Sequence, residues 1–423
     1  MRDKIFFILI LAIIAIGSPA CLQQKAATVT TVSEIQSPAD ERIKKAGDLV
    51  NKMPELAKYH VQLAAAILSK VRETGDYSLN RKAEESLSKA LEIEPDNFDA
   101  QILQTQIYLS EHKFREGLEL AKKLEGSNPN SAPVQAAIVD AQTELGLYED
   151  AVNSAQKFVD LRPNSASYTR AAHLRSLHGD TAGAIEARQL AVRIADPEDK
   201  EGLAWFNSEL GKEYLFAGKF KEAESSFDKA LDIFPDYHWA LAGKGKILAG
   251  RGEYDQATAI FEKLISRVPQ ADRAIFLGDL YKTAGRDDDA QKIYAEMIKR
   301  ETTSGGDMHR IALFWADHDM DLDAALEVAR QDRAKNSDLL ASDILAWCPY
   351  KKGQYTEAKK YALEAMRLKT KNASFYYHLG MIENALGNKK EAVRNLKLAL
   401  ETNPAFDILQ AGIAKQKLEE LKN

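Results

Sequence analysis

The stretch Ala204–Tyr237, AWFNSELGKEYLFAGKFKEAESSFDKALDIFPDY, holds two amphipathic segments and two stops. Phe206, Leu210 and Tyr214 recur every four residues, which places them on one face of a helix over Ala204–Phe216. Gly211 lies beside them without a side chain, so a neighbouring helix can come close. Gly218 supplies the left-handed conformation that a helix C-terminus often needs. Ala223, Phe227 and Ala230 then mark one face of a second helix, where the alanines permit close approach and Phe227 fills volume. Pro235 stops that helix, because it has no backbone N–H to donate and its ring disfavours continuation.

Outward from this stretch the pattern repeats. Pro95, Pro129, Pro163 and Pro197 follow one another at 34 residues, as do Pro235 and Pro269. Each closes a similar phrase, such as KALEIEPDN, KFVDLRPNS and KALDIFPDY. A fixed period in this range marks a solenoid of stacked helix pairs, whose core grows lengthwise rather than splitting into globular domains.

The series Leu210-Gly211, Tyr214, Gly218, Ala223, Phe227, Ala230, Pro235 resembles a tetratricopeptide (TPR) repeat. It recurs as Gly245, Leu248, Gly252, Tyr254, Ala257, Phe261 and Pro269, and as Leu277-Gly278, Tyr281, Gly285, Ala290 and Tyr294. Near the C-terminus it returns as Leu379-Gly380, Gly387, Ala392, Leu396, Ala399 and Pro404. The resemblance covers more than four-fifths of the chain, from Tyr59 to Pro404, in about ten units. It implies an all-α fold: a right-handed superhelix of helix-turn-helix units, with a capping helix over 405–423. Two irregularities stand out. Residues Arg300–Asp321 lack a closing proline and hold Gly305-Gly306, which predicts a break between sub-stacks. Pro349 falls near the end of a first helix, where it either bends the helix or sits in a fraying last turn.

The N-terminus reads differently. Arg2 and Lys4 precede the twelve-residue apolar run Ile5–Ile16, too short to span a bilayer of ~30 Å comfortably. Ser18-Pro19-Ala20 supplies small residues at cleavage positions, so 1–20 is expected to be a signal peptide. Cys21 then resembles the lipidated cysteine of bacterial lipoproteins, although Ser18 stands where that signal usually carries Leu. Lipidation and plain secretory cleavage are both open to it. Residues 21–55 are expected to be the anchor cysteine with a flexible polar linker and a leading helix, and 56–404 the repeat array. The implied place is the periplasmic side of the cell envelope, on the outer membrane if lipid-anchored and free in the periplasm or secreted otherwise.

Chemistry is scarce in the 423 residues, of which 45% are hydrophobic and 28% charged. A net charge of −6 argues against a nucleic-acid partner. The two cysteines, Cys21 and Cys348, make no disulfide framework or zinc motif. Ala242–Gly250, AGKGKILAG, lacks the order of a phosphate loop. Asp317–Asp323, DHDMDLD, places Ala324 and Arg330 where a calcium loop needs Gly and Glu, and reads instead as acidic residues at a helix start. No cofactor, metal, small-molecule substrate or enzymatic activity is expected.

Binding is the remaining role. In TPR proteins the first helix of each unit lines the concave groove, which implies that extended or helical partner segments lie there. Trp205 and Trp239 occupy equivalent places in consecutive units, as do Lys212 and Lys246. They form either a clamp for a partner or, for the tryptophans, plugs in the seam between units. Arg170, His173, Trp347, Tyr377 and His378 are further groove candidates. The expected function is a protein-interaction scaffold of the envelope; the alternative is a carbohydrate- or peptidoglycan-associated module whose tryptophans stack on sugars. Anchoring itself has a direct check: Cys21→Ala is expected to move the mature protein from the membrane to the soluble fraction in a cell-fractionation blot. Retention on the membrane would refute the lipid anchor.

Overall fold

A computed structural model describes residues 37–304 and 308–422; Cys21 and the signal segment lie outside them. The described residues are all-helical. A leading helix, α1 (Ala39–Lys52), precedes ten helix pairs. Units 1 to 5 are α2 (Ala57–Thr74) with α3 (Asn80–Ile93), α4 (Phe98–Ser110) with α5 (Phe114–Ser127), α6 (Ala132–Glu144) with α7 (Tyr148–Leu161), α8 (Ser165–Leu177) with α9 (Thr181–Arg193), and α10 (Lys200–Phe216) with α11 (Phe220–Ile233). Units 6 to 10 are α12 (His238–Gly250) with α13 (Tyr254–Arg267), α14 (Ala271–Thr283) with α15 (Asp287–Ser304), α16 (Met308–Asp317) with α17 (Leu322–Lys335), α18 (Leu339–Lys351) with α19 (Tyr355–Ala365), and α20 (Ala373–Ala385) with α21 (Lys389–Thr402). Helix α22 (Gln410–Lys422) closes the stack.

The two helices of a unit bury different amounts of surface. The second helix is half-buried: α11 covers Ala223, Ser226, Phe227 and Ala230, and α21 covers Ala392, Asn395, Leu396 and Ala399. The first helix is buried nearly all round, as in α18, where every residue from Ala341 to Pro349 is buried. In units 5 to 7 an aromatic residue of the second helix is seated on a bare glycine of the first. A β-carbon on Gly211 would lie 2.6 Å from the Phe227 ring, and one on Gly243 of the next unit 2.2 Å from it. Gly245 faces Phe261, and Gly278 faces Tyr294, in the same way.

These close contacts wind the stack tightly enough for successive superhelical turns to touch. Roughly five units separate the partners at each contact. Gln270 Nε2 donates to Gly75 O at 2.7 Å, and His238 Nε2 meets Arg72 O at 3.1 Å. Ser337 N donates to Leu145 O at 3.3 Å, and Leu339 N to Tyr148 Oη at 2.9 Å. Thr370 Oγ1 donates to Leu177 O. Asn403 Nδ2 donates to Leu215 O at 3.0 Å. In each case the turn inside an early unit meets the loop that follows a late one.

Two features singled out in the sequence can now be placed. Around Arg300–Asp321 the core is continuous: Tyr294 and Met297 of α15 join Ile311, Phe314 and Trp315 of α16 in one cluster that runs on into α18 and α20. The lengthened α15 therefore does not divide the stack. Pro349 lies inside α18 and is buried, and the helix ends just after it, with Lys352 N bonded to Cys348 O and Pro349 O. The missing N–H forfeits one bond to Leu345 O, but only two residues of the helix follow, so a kink there displaces little of it.

The turn glycines offer a matched experiment. Gly146 and Gly353 have the same left-handed backbone, φ 73° and 76°. A β-carbon on Gly146 would lie 2.3 Å from the Ser337 carbonyl carbon, whereas Gly353 faces open space. Gly353→Ala is expected to cost about 1–2 kcal/mol, the left-handed penalty alone. Gly146→Ala is expected to cost roughly 3 kcal/mol or more, because backbone must shift as well. Urea titration followed by circular dichroism of both variants checks the difference.

Candidate functional site

A ring of about five helices spaced ~9–10 Å apart has a radius of about 8 Å, and the helices themselves fill about 5 Å of it. The first helices of the units therefore enclose a lumen about as wide as the side chains they point into it. Its groups meet across several units: Gln410 Nε2 of α22 donates to Asp317 Oδ1 of α16 at 2.5 Å. Some charged groups in this space are buried, such as Arg188, while others, such as His173 and Lys246, are exposed.

On the side of α6 to α16 the lumen is rich in charge. Arg170 grips Asp140 of the preceding unit with two bonds, Nε to Oδ1 at 2.8 Å and Nη2 to Oδ2 at 2.5 Å. It also donates to Ala166 O at 3.0 Å, so its guanidinium is committed within the wall. Arg188 of α9 is buried between Glu213, at 2.9 Å, and Glu209, at 3.1 Å. His173 faces the same group, and burial lowers its pKa, assisted by the Arg188 charge.

The lysines expected to be equivalent are so in three dimensions. Lys212 Nζ sits 5.0 Å from the Trp239 ring centroid, and Lys246 Nζ 5.8 Å from that of Phe276. Each ammonium thus rests over an aromatic face of the next unit. The two differ in their counter-ions. Lys212 is paired with Glu209. For Lys246, dehydration lowers the pKa; Asp272 opposes that, while the charges of Arg310, Lys212 and Arg273 add to it. The charges of Arg310, Lys246 and Arg273 lower the pKa of Asp272 against the opposing effect of burial.

The tryptophans divide between the two expected roles. Trp205 packs edge-on against Phe206, at 5.1 Å between centroids, beside the apolar cluster of units 5 and 6. Trp239 belongs to the same cluster but offers its ring to Lys212. Trp347, Tyr377 and His378 do not line an accessible groove, because each is only 2% exposed. Trp347 is stacked between Tyr350 at 4.6 Å and His378 at 4.1 Å, and its Nε1 donates to Asp317 at 2.8 Å. The segment before α22 completes this filling: Phe406 packs on Tyr377, and burial, helped by the Asp279 charge, raises the pKa of Asp407. Burial also pushes Asp317 up to about 7, with the Asp407 charge adding to it. Cys348 is wholly buried, and burial pushes its thiol up to about 12, which suits a packing residue rather than a nucleophile.

Sequence reading missed Asp272, Phe276, Glu209 and Arg310. They lie on the same helix faces as the residues it singled out, but they do not recur at matching places in neighbouring units, so periodicity gives no signal for them.

The tetratricopeptide repeat family pattern matches the chain at residues 214–274 and 248–311, and a second form of it at 373–406. Over 72 residues the chain is 38% identical to the TPR repeat-containing protein MJ0941 of Methanocaldococcus jannaschii; that match covers 17% of this chain and 21% of the archaeal protein. The chain thus matches about a fifth of that relative's length. The human IFIT1 dimer with m7Gppp-AAAA shares the fold at a TM-score of 0.50 and 16% identity, over 77% of this chain and 76% of that one. The APC/C hetero-tetramer Cut9-Hcn1 aligns at a TM-score of 0.35 and 14% identity, over 91% and 94% of the two chains.

The two kinds of charge in the lumen are expected to separate in stability measurements. Arg188→Met leaves Glu209 and Glu213 facing each other in a dehydrated site and is expected to cost about 3–5 kcal/mol. Lys246→Met removes an exposed cation with no ion pair among the described residues and is expected to change stability by less than about 0.5 kcal/mol. Urea titrations of the two variants check both values.

Proposed function

The chain is a tetratricopeptide-repeat protein, and from that premise we propose that it is a non-enzymatic scaffold that holds a segment of another protein in the lumen of its solenoid. The observation that carries the reading is Lys246. Its ammonium is exposed, has the Phe276 ring 5.8 Å below it and makes no ion pair among the described residues. Such a group gains from the arrival of an anion, so the partner segment brings an acidic side chain to this point. Trp239, with Lys212 over its ring, supplies the apolar contact beside it.

The alternative, tryptophans stacked on sugar rings, is less well supported. Trp205 is engaged by Phe206 and Trp239 by Lys212, so neither presents a bare pair of faces. The place of action we propose is the bacterial cell envelope. The support for this is the basic start, the apolar run Ile5–Ile16 and the small residues before Cys21, with a lipid on Cys21 as the tether. No helix among the described residues is long and apolar enough to cross a membrane.

Cross-linked capture from native membranes identifies the partner, and its segments are then tested as peptides beside glycans. Trp239→Ala and Lys246→Ala are each expected to weaken peptide binding at least tenfold, while Lys229→Ala, on the exposed side of α11, leaves it unchanged. If Trp239→Ala left every interaction intact, the lumen assignment would be wrong.

A further inference from the structure

The contact that unit 1 makes with the next superhelical turn runs through a histidine whose two ring nitrogens are both in use. His238, at the start of α12, is only 4% exposed. Its Nε2 lies 3.1 Å from Arg72 O, in the last turn of α2. Its Nδ1 lies 2.5 Å from Arg273 Nη2 of α14. A carbonyl can only accept and a guanidinium can only donate, so the ring is held neutral, with its proton on Nε2 and its lone pair on Nδ1. The same ring rests on Gly75, where a β-carbon would come 2.8 Å from His238 Cε1. Beside it, Gln270 Nε2 donates to Gly75 O at 2.7 Å.

We propose that this contact is a clasp that acid opens: protonation of His238 at Nδ1 sets the ring against Arg273 and releases the turn after α2 from α12 and α14.

The geometry carries the argument. A second ring proton takes the lone pair that Arg273 uses and places two positive charges side by side in a buried site. Arg273 is 1% exposed, its Nε has no hydrogen-bond partner, and it makes no ion pair among the described residues. The carboxylates around the pair are already engaged. Glu73 of α2 accepts from Arg42 Nη2 and from Ala39 N. Asp236, just before α12, holds Lys263 and Arg267. Glu201 of α10 accepts from Arg72 Nε at 3.2 Å and from Tyr237 Oη at 2.8 Å. Burial, and next the Arg273 charge, lower the pKa of His238 to about 3; Lys212 adds to this, while the bond to Arg72 O and the Asp272 charge oppose it. Tyr77 and Tyr237 supply no charge, since burial pushes both hydroxyls further from ionisation.

The sign follows from linkage. A histidine whose pKa is lowered in the closed state favours closure when neutral. Its contribution is complete above the ordinary histidine value of 6.5 and is lost progressively as the pH falls from there toward about 3. Glu201 acts in the opposite sense, because burial raises its pKa and its protonation favours the closed state. A variant of His238 therefore isolates the clasp where a pH profile alone does not.

Hydrogen exchange of the full chain without any partner tests this, so a failure here is distinct from a failure of the binding reading. Gly75 N, bonded to Val71 O beside the His238 ring, is expected to exchange at least tenfold faster at pH 5 than at pH 7.5 after correction for the chemical rate. Gly353 N, bonded to Tyr350 O at a turn that faces open space, is expected to stay constant. His238→Gln keeps a donor for Arg72 O and an acceptor for Arg273 but takes up no proton, so it is expected to abolish the response. The unaltered chain gives a second reading: nitrogen NMR at pH 7.5 is expected to show His238 protonated on Nε2 alone. The idea is overturned if Gly75 shows no pH response, if Gly353 accelerates with it, if the response survives in His238→Gln, or if the ring carries its proton on Nδ1.

Discussion

The seating of aromatic rings on bare glycines sets the geometry of this molecule. Phe227 is fully buried and wedged between Gly211 of its own unit and Gly243 of the next. A ring in that position fixes both the spacing of the two helices in a unit and the step to the following unit. Alanine at either glycine would put a carbon inside the van der Waals radius of the ring, so the step is held by steric exclusion rather than by a favoured bond. Phe261 on Gly245 and Tyr294 on Gly278 repeat the seat within the next two units, and the stack as a whole turns once in about five units. The closure between turns follows from this step.

That curvature changes what a concave surface can be. A shallow arc of helices offers an open groove in which charges stay hydrated. A five-helix ring leaves space only for side chains, so a charge there is costly unless it is paired. The stack meets this constraint in two ways. On one side Arg170 with Asp140, Arg188 with two glutamates, and Lys212 with Glu209 form ion pairs. On the other, stacked rings and shared hydrogen bonds fill the volume: Trp347 and Gln410 both donate to one oxygen of Asp317. Between the two lies Lys246, exposed over the Phe276 ring.

The repeat was legible in the sequence because its demands are local. A glycine at most of the turns, a small residue where helices cross and a proline after many of the second helices answer to local backbone geometry, whatever the rest of the chain does; His112 and Asp319 take the positive φ at the two turns without glycine. Gly218 at φ 67° and the end of α11 at Ile233, before Pro235, are examples. The pairing of Lys212 with an aromatic residue one unit on was legible only as equivalence of position. What could not be read was the number of units per turn, which emerges from small rotations summed over many units. That number decided the fate of Trp347, Tyr377 and His378. All three lie on first helices, as expected, but the tightness of the ring makes that face a core.

The same sum separates two kinds of glycine that look alike in the sequence. Gly75, Gly146, Gly179 and Gly218 end first helices of early units, and Gly252, Gly285, Gly353 and Gly387 end those of late units. All eight have positive φ and serve the same local purpose. Only the early four abut the following turn of the superhelix; the late four face open space. A repeat sequence thus carries two layers of constraint. The first is written in every unit and builds the helix pair. The second falls only on units that meet a distant turn, and it bears on side chains that no periodicity marks, such as Gln270, Ser337, Thr370 and Asn403. The second layer is what joins one turn of the superhelix to the next.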